Sequence, residues 1–380
     1  MKLIRIQGQP SWRFASDQVE AAITRQGGHL GPVHFHLPHG VIQPFSIAPW
    51  AEEKSGPPIP ALLQSLRGDF FCAPFGGNET AYRGESHPPH GESANAPWKL
   101  ESLKKSKAET ELHLSLNTKI RHGRIDKTIR LRRGETAVYC QHVLSHMSGK
   151  LNLGHHATLK FPDETGSGLV STSPISFAQV LPVPFEKPAE RGYSSLKPGA
   201  LFSSLNKVLA LDGTVSDLSR FPARRGFEDL VMIAHQATTN FAWTAVTFPR
   251  QRYVWFALKD PGVLRSTVLW ISNGGRHYPP WNGRHVNVMG LEDVTSYFHL
   301  GLADSARSNP VNKRGIATHL DLDARKPLVV NYIMVVAAIP AKWGRVKTII
   351  TEPHGVTLHP TEGSAVRVPL DSSFLYSKIP

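Results

Sequence analysis

Cysteine is nearly absent: the 380 residues contain two, Cys72 and Cys140, far apart and each in an apolar or strand-like stretch. Two such residues exclude a disulfide scaffold and a cysteine-ligated zinc site. They point to a reducing, cytoplasmic setting, with each thiol a small buried hydrophobe. Long apolar runs are missing too. The longest, PLVVNYIMVVAAIP at 327–340, is broken by Asn331. It falls short of the roughly 20 residues a membrane helix needs, so a buried strand is expected and no membrane. MKLIRIQGQPSW has no apolar core of the signal-peptide kind. Acidic residues are outnumbered, 30 against 43 Lys and Arg, for a net charge of +13. The basic clusters are only KKSK at 104–107, RLRR at 130–133 and RR at 224–225. No recognition helix, zinc finger or RNA-binding aromatic signature goes with them, so nucleic acid is not an expected partner.

Helical periodicity is equally scarce. IPALLQSLRG at 59–68 is the best window, and a glycine ends it. What is present is a period of two. ETELHLSLNTKI (109–120) alternates Leu112, Leu114 and Leu116 with polar neighbours, and DKTIRLRR puts Ile129 and Leu131 on one face. TAVYCQHVLSH, TTNFAWTAVTF and QRYVWFALKD continue with β-branched and aromatic residues, and the turns RHGR, RRGE and LDGT separate such runs. The pattern predicts an all-β protein, a sandwich of antiparallel sheets. No linker or fixed repeat divides the chain, so a single domain over 1–380 is expected. The Pro-, Ser- and Gly-rich segment 163–226 reads as long loops over a sheet.

Four stretches concentrate polar chemistry. In GGHLGPVHFHLPHG (27–40), His34 and His36 would share a strand face with His39 nearby. Those three could ligate a metal or simply decorate a sheet. FFCAPFGGNET runs into HPPHGESANAPW at 87–98, which packs two histidines, a glutamate, an asparagine and a tryptophan into a loop that Pro and Gly keep from being a helix. Asn78, Glu79, His90 and Trp98 would suit a sugar, whose hydroxyls need paired donors and acceptors and whose C–H face lies well on an indole. Equally, Asn78 and Asn95 could be turn residues and Trp98 a core filler. In LNLGHHATLKFPD (151–163), His155 and His156 must face opposite ways on a strand. In SNGGRHYPPWNGRHVNVMGLEDVTSYF (272–298), Glu292 and Asp293 follow an apolar run, so that either stands at an exposed strand end or serves as a general base.

A histidine and a glutamate on different strands of one cleft would suffice for acid–base work on a sugar. The base takes the anomeric proton, the acid protonates the ring oxygen, the C1–C2 bond rotates in the open aldehyde, and closure gives the other anomer. No cofactor or metal is required. A pair of carboxylates cleaving a glycoside is the competing chemistry. The positive field would also suit an anionic sugar.

PFGGN, HGESANAPW, GHHATLKFP and GLEDV, in this order over roughly residues 20–305, resemble the aldose 1-epimerase (galactose mutarotase-like) superfamily. The resemblance implies a large antiparallel β supersandwich and a small-molecule sugar or sugar derivative as partner. It implies His156 as the catalytic acid and Glu292 as the base. His90 would bind the sugar, with Trp98 closing the same wall, and His155 would be the adjacent non-catalytic position. The family's Asn-Arg pair is here Asn78-Glu79, with Arg83 the nearest arginine. Its acidic hydroxyl acceptor would be Asp229 or Asp212, with Asp229 preferred. The departures leave room for a carbohydrate-binding protein without catalysis on the same fold.

Overall fold

The computed structural model describes residues 2–53, 58–236 and 240–378. Alternation in sequence becomes alternation in space. Along Gly123–Arg132, Ile125, Ile129 and Leu131 are buried while their neighbours are half-exposed. Lys127 falls on the same inward phase, and its Nζ is satisfied by the Gly28 carbonyl at 2.7 Å. Two large antiparallel sheets face each other. One has nine strands, running in order Arg220–Phe221, Gly168–Thr172, Ala242–Phe248, Tyr253–Lys259, Leu328–Ala338, Ala137–Ser145, Gly123–Arg132, Glu109–Thr118 and Lys99–Lys105. The other has seven, running Ile175–Val180, Phe227–His235, Ser266–Asn273, Val288–Thr295, Leu153–His155 and Phe71–Cys72, with Ala157–Lys160 also paired to Val288–Thr295. Their facing sides share one apolar core that includes Ile129, Leu131, Val231, Val246, Leu269 and Leu291. The sandwich anticipated from the period of two is therefore present.

Two further sheets extend it. Five N-terminal strands run from Ile4–Ile6 to Gly40–Ile42. At the other end Val346–Glu352, Gly355–Pro360 and Val366–Pro369 form a three-stranded sheet. Val346, Ile349, Val356, Leu358 and Val368 of that sheet join Trp243, Phe256, Ile333 and Val335 from the outer face of the nine-stranded sheet in a second core. Each such side chain gains about 1.5–3 kcal/mol on burial. This cover explains why YVWFALK and LVVNYIMVVAA are apolar on both phases: those strands are buried on both faces.

Several local expectations change. The helix expected over 59–68 is only Ala61–Ser65. The segment 163–226 is not all loop, since Gly168–Thr172 and Ile175–Val180 are strands of the two main sheets. Cys72 and Cys140 are free and buried, as expected of two small hydrophobes. Among the described residues, no helix is long and apolar enough to cross a membrane.

Candidate functional site

The outer face of the seven-stranded sheet carries the site. Strand alternation sends neighbouring residues to opposite sides: Leu230 and Trp270, cross-strand partners, face outward, while the next pair, Asp229 and Ile271, faces the other way. On Val288–Thr295 the same rule turns Glu292 outward and Asp293 into the sandwich. Asp293 there accepts from Lys259 at 2.5 Å, Thr267 at 2.6 Å and Tyr332 at 2.8 Å. His155 and His156 part in the same way. His155 stacks on Tyr332 inside the sandwich and its Nδ1 meets Asp69 at 2.8 Å. His156 sits between the strands Leu153–His155 and Ala157–Lys160, and its N–H donates to the Phe70 carbonyl.

Glu292 and His156 meet. Nε2 of His156 lies 3.1 Å from Glu292 Oε1, with both side chains almost fully buried. Gly290, two residues before Glu292 and on the same face, makes room: a Cβ there would come within 2.6 Å of Oε1 and 3.2 Å of Trp270. His156 is stacked on Phe70 at 4.4 Å between ring centroids and lies edge-on to Trp270 and His90. Its Nδ1 is 3.2 Å from the Thr158 hydroxyl. His90 itself sits at φ 60°, a left-handed conformation uncommon for a side chain of its size, so the surrounding loop must hold it. Gly91, at φ 73°, packs so closely that a Cβ would fall 2.2 Å from the Ala73 carbonyl oxygen.

Glu292, His156, His90 and Phe70 line one cavity of about 100 Å³, together with His299, Arg276, Trp270, Trp281 and the leucines at 62, 63 and 66. Arg276 donates from Nε to Glu186 at 2.6 Å, and among the described residues its Nη groups have no protein acceptor. Burial works against its charge, but the Glu228 and Glu186 carboxylates hold its pKa above the ordinary value. Burial alone pushes Glu292 well above the usual carboxylate range, with Arg276 opposing. The same desolvation lowers His156 to about 3 and His299 to about 4. It carries His90 well below its normal value, helped by His156. Burial in this cavity therefore favours neutral imidazoles and a protonated Glu292.

Not every residue singled out by sequence comes to this cavity. Trp98 is a core residue, 1% exposed, whose Nε1 donates to the Ser93 carbonyl and whose ring lies under Lys127 Nζ. The expected wall is built instead by Trp270 and Trp281. Asn78 is consumed by loop geometry, donating to the Gly76 carbonyl and accepting from Leu302 N–H. Glu79 is exposed. Asp229 faces away, holding Ser195 and Leu196 N–H groups and the Ser195 hydroxyl in a separate cleft. Asp212, the alternative, is spent on Thr214 in a surface turn. Glu228, one residue earlier, is the acid on the outward phase, accepting from Trp270 Nε1 and Ser272. Glu292 is mid-strand and buried rather than at an exposed strand end. His36 faces Glu20 and His39 contacts the Gln251 carbonyl. Among the described residues, no three His, Cys, Asp or Glu side chains converge as a metal site.

The residues that sequence reasoning missed are Arg276, Trp270, Trp281 and His299. The first and third lay in a stretch already noted, NGGRHYPPW, but nothing in its spacing says that Arg276 turns inward. The missing Asn-Arg arginine has no counterpart in Arg83, which does not line the cavity; Arg276 supplies a guanidinium from a different loop.

No family model matches the chain, and no curated protein matches it in sequence. Solved structures do match. A protein of Escherichia coli K12, provisionally assigned as an aldose 1-epimerase, aligns over 87% of this chain and 99% of its own at 12% identity, with a TM-score of 0.57. A provisionally assigned mutarotase from Salmonella typhimurium aligns over 88% and 93% at 14% identity, TM-score 0.58. A galactose mutarotase-like protein from Lactobacillus casei aligns over 86% and 100% at 11% identity, TM-score 0.54. The fold is that of the galactose mutarotase-like proteins, as the sequence resemblance implied.

Proposed function

We propose that the protein binds a sugar or small sugar derivative and interconverts its anomers, using His156 and Glu292 and no cofactor. The carrying observation is the 3.1 Å approach of the two groups inside a cavity that also holds His90, His299 and Arg276. The pair needs one proton in total. Burial alone places it on the carboxyl. A bound sugar reverses this, because its anomeric hydroxyl donates to the carboxylate while its ring oxygen accepts from the imidazolium. Glu292 then takes the anomeric proton as His156 protonates the ring oxygen, and the C1–O5 bond breaks to give the aldehyde. Rotation about C1–C2 and reversal of both transfers deliver the other anomer and restore the pair. His90 and the Nη groups of Arg276 serve as hydroxyl partners, and the Trp270 and Trp281 rings, with the Arg276 guanidinium lying over them, add aromatic wall for C–H groups. The two buried free cysteines fit a reducing, cytoplasmic location.

Proton NMR of reducing sugars tests the reading, with anomer exchange and saturation transfer recorded in the same sample. Accelerated exchange that disappears in Glu292→Gln, with saturation transfer retained, is the expected result. Saturation transfer without acceleration in the native protein identifies a non-catalytic sugar binder instead.

A further inference from the structure

The polar groups of the cavity are few, and much of the remaining wall is hydrocarbon. Besides Glu292, His156, His90, His299 and Arg276, it is lined by Leu62, Leu63, Leu66 and Leu230 and by aromatic rings. Leu62 and Leu63 lie in the Ala61–Ser65 segment and Leu66 directly follows it, and the first two are pinned in place. Leu63 O accepts from Trp50 Nε1 at 2.8 Å, and Leu62 N–H donates to Asn95 Oδ1 at 3.2 Å. Leu62 and Leu66 are buried and Leu63 half-buried. The space left is about 100 Å³, well below the several hundred usual for a small-molecule site.

An aldohexose in its pyranose form carries hydroxyls all round the ring. In this cavity the reacting end meets histidines, a carboxyl and a guanidinium, while hydroxyls pointed at the leucines meet no donor or acceptor. A buried hydroxyl without a partner is penalised, whereas hydrogen or methyl at that position packs against leucine at no such cost. Resting on the anomer-exchange reading above, we propose that the substrate is a deoxy sugar. It presents hydrogen or methyl to Leu62, Leu63 and Leu66 and keeps its hydroxyls for the polar end. The Nη groups of Arg276 can donate to a hydroxyl, but Glu186 and Glu228 compensate its charge, so the excess positive charge of the chain is not expressed as a net cation here and a phosphorylated sugar is a poor fit.

The test compares anomer exchange for 4-deoxy and 6-deoxy aldohexoses, the parent aldohexoses and their 6-phosphates. An apolar pocket rejects an added hydroxyl by about 100-fold at most. Accordingly kcat/KM for at least one deoxy sugar should exceed that of its parent by about 10–100-fold, with the phosphate slowest. Leu63→Asn, which places an amide on the half-exposed part of the wall, should narrow that ratio about tenfold while thermal melting shows a folded protein. A parent sugar as fast as both deoxy forms, or a ratio unmoved by Leu63→Asn in a folded variant, overturns the proposal. If no sugar is accelerated but saturation transfer still favours the deoxy sugars, anomer exchange is wrong and apolar recognition stands. Silence in both measurements removes both.

Discussion

The two faces of the seven-stranded sheet treat the same kinds of side chain in opposite ways. Inward, Asp293 is closed off by Lys259, Thr267 and Tyr332, and its carboxyl is held below the usual range by Lys259 although burial opposes this. Outward, one residue earlier, Glu292 lies beside His156 and is pushed up by burial, with Arg276 opposing. Asp293 with Lys259 is a charge pair whose partners are fully supplied by the fold, so it ties the sheets together. Glu292 with His156 is left short of partners, which raises its free energy and leaves it available to a ligand. Burial is equal on both faces. Compensation is what separates structure from chemistry.

The largest test of that contrast is acid, which attacks both faces. His235, inside, His156 and His285, on the outer side, and His29, stacked on Phe70, are each held near 3 by burial. Unfolded, they would protonate near their ordinary 6.5. The folded state therefore binds fewer protons, and the stability they contribute is present above 6.5 and lost as pH falls toward 3. Each loses about 1.4 kcal/mol per pH unit. Glu228 and Asp229, raised by burial to about 7 and about 6, act in the opposite sense: their contribution is complete at low pH and lost as pH rises through those values. His299, His90 and His142 act with the four histidines, and Glu292 acts with the two carboxyls. Seven against three leaves on the order of 5 kcal/mol per pH unit between roughly 6.5 and 4.5. Against a total of about 5–15 kcal/mol, cooperative unfolding by about pH 4–5 is expected in circular dichroism. A fold unchanged at pH 3.5 would contradict the assignment of these histidines as neutral.

Next in size is the break on the inner face. Lys259→Met strands the Asp293 carboxylate, and urea titration should show a loss of about 3–5 kcal/mol. Its counterpart on the outer face is Glu292→Gln. This substitution keeps the shape and removes the base, and should lower anomer exchange about 100- to 10,000-fold with little change in the urea midpoint. Had the two faces been equivalent, both variants would move both observables. Smaller again is Trp98→Phe, which loses one buried hydrogen bond and a contact with Lys127. About 1 kcal/mol of stability should go, and KM for sugar should stay as it was, since Trp98 lies outside the cavity. Glu79→Gln, at an exposed position, should change stability by less than about 0.5 kcal/mol and leave KM untouched. A large KM effect from either of the last two would place Trp98 or Glu79 in the site beside His90.

The fold was legible because a period of two survives any tertiary arrangement: LHLSL and TIRLR must put their leucines and isoleucines on one side of a strand. Histidine pairs and the Glu292-Asp293 pair were legible to the same depth, as residues that must diverge. Order and spacing of PFGGN, GHHATLKFP and GLEDV carried the rest of the resemblance. HPPHGESANAPW was the richest stretch to the eye, yet of its polar and aromatic residues only His90 lines the cavity. Asn95 holds Leu62 N–H, Glu92 holds the backbone N–H groups of Lys119 and Ile120, and Trp98 fills the core. A loop so full of turn residues needs its own polar side chains to satisfy its backbone, and composition does not distinguish those from ligand-binding ones.

By itself the sequence determined the antiparallel strands, the burial of the two cysteines and the divergence of adjacent residues, all consequences of local geometry. It did not determine which divergent partner faces a cavity and which faces a second sheet. Nor did it show that Arg276, Trp270, Trp281 and His299 complete the wall, or that Asp229 turns away while Glu228 turns toward Trp270. Those outcomes depend on which sheet lies behind each strand and on loops far apart in the chain that fold over its outer face. Long-range packing sets the solvent and the partners of each buried group, and these decide whether a carboxyl or an imidazole is neutralised by the protein or left for a ligand.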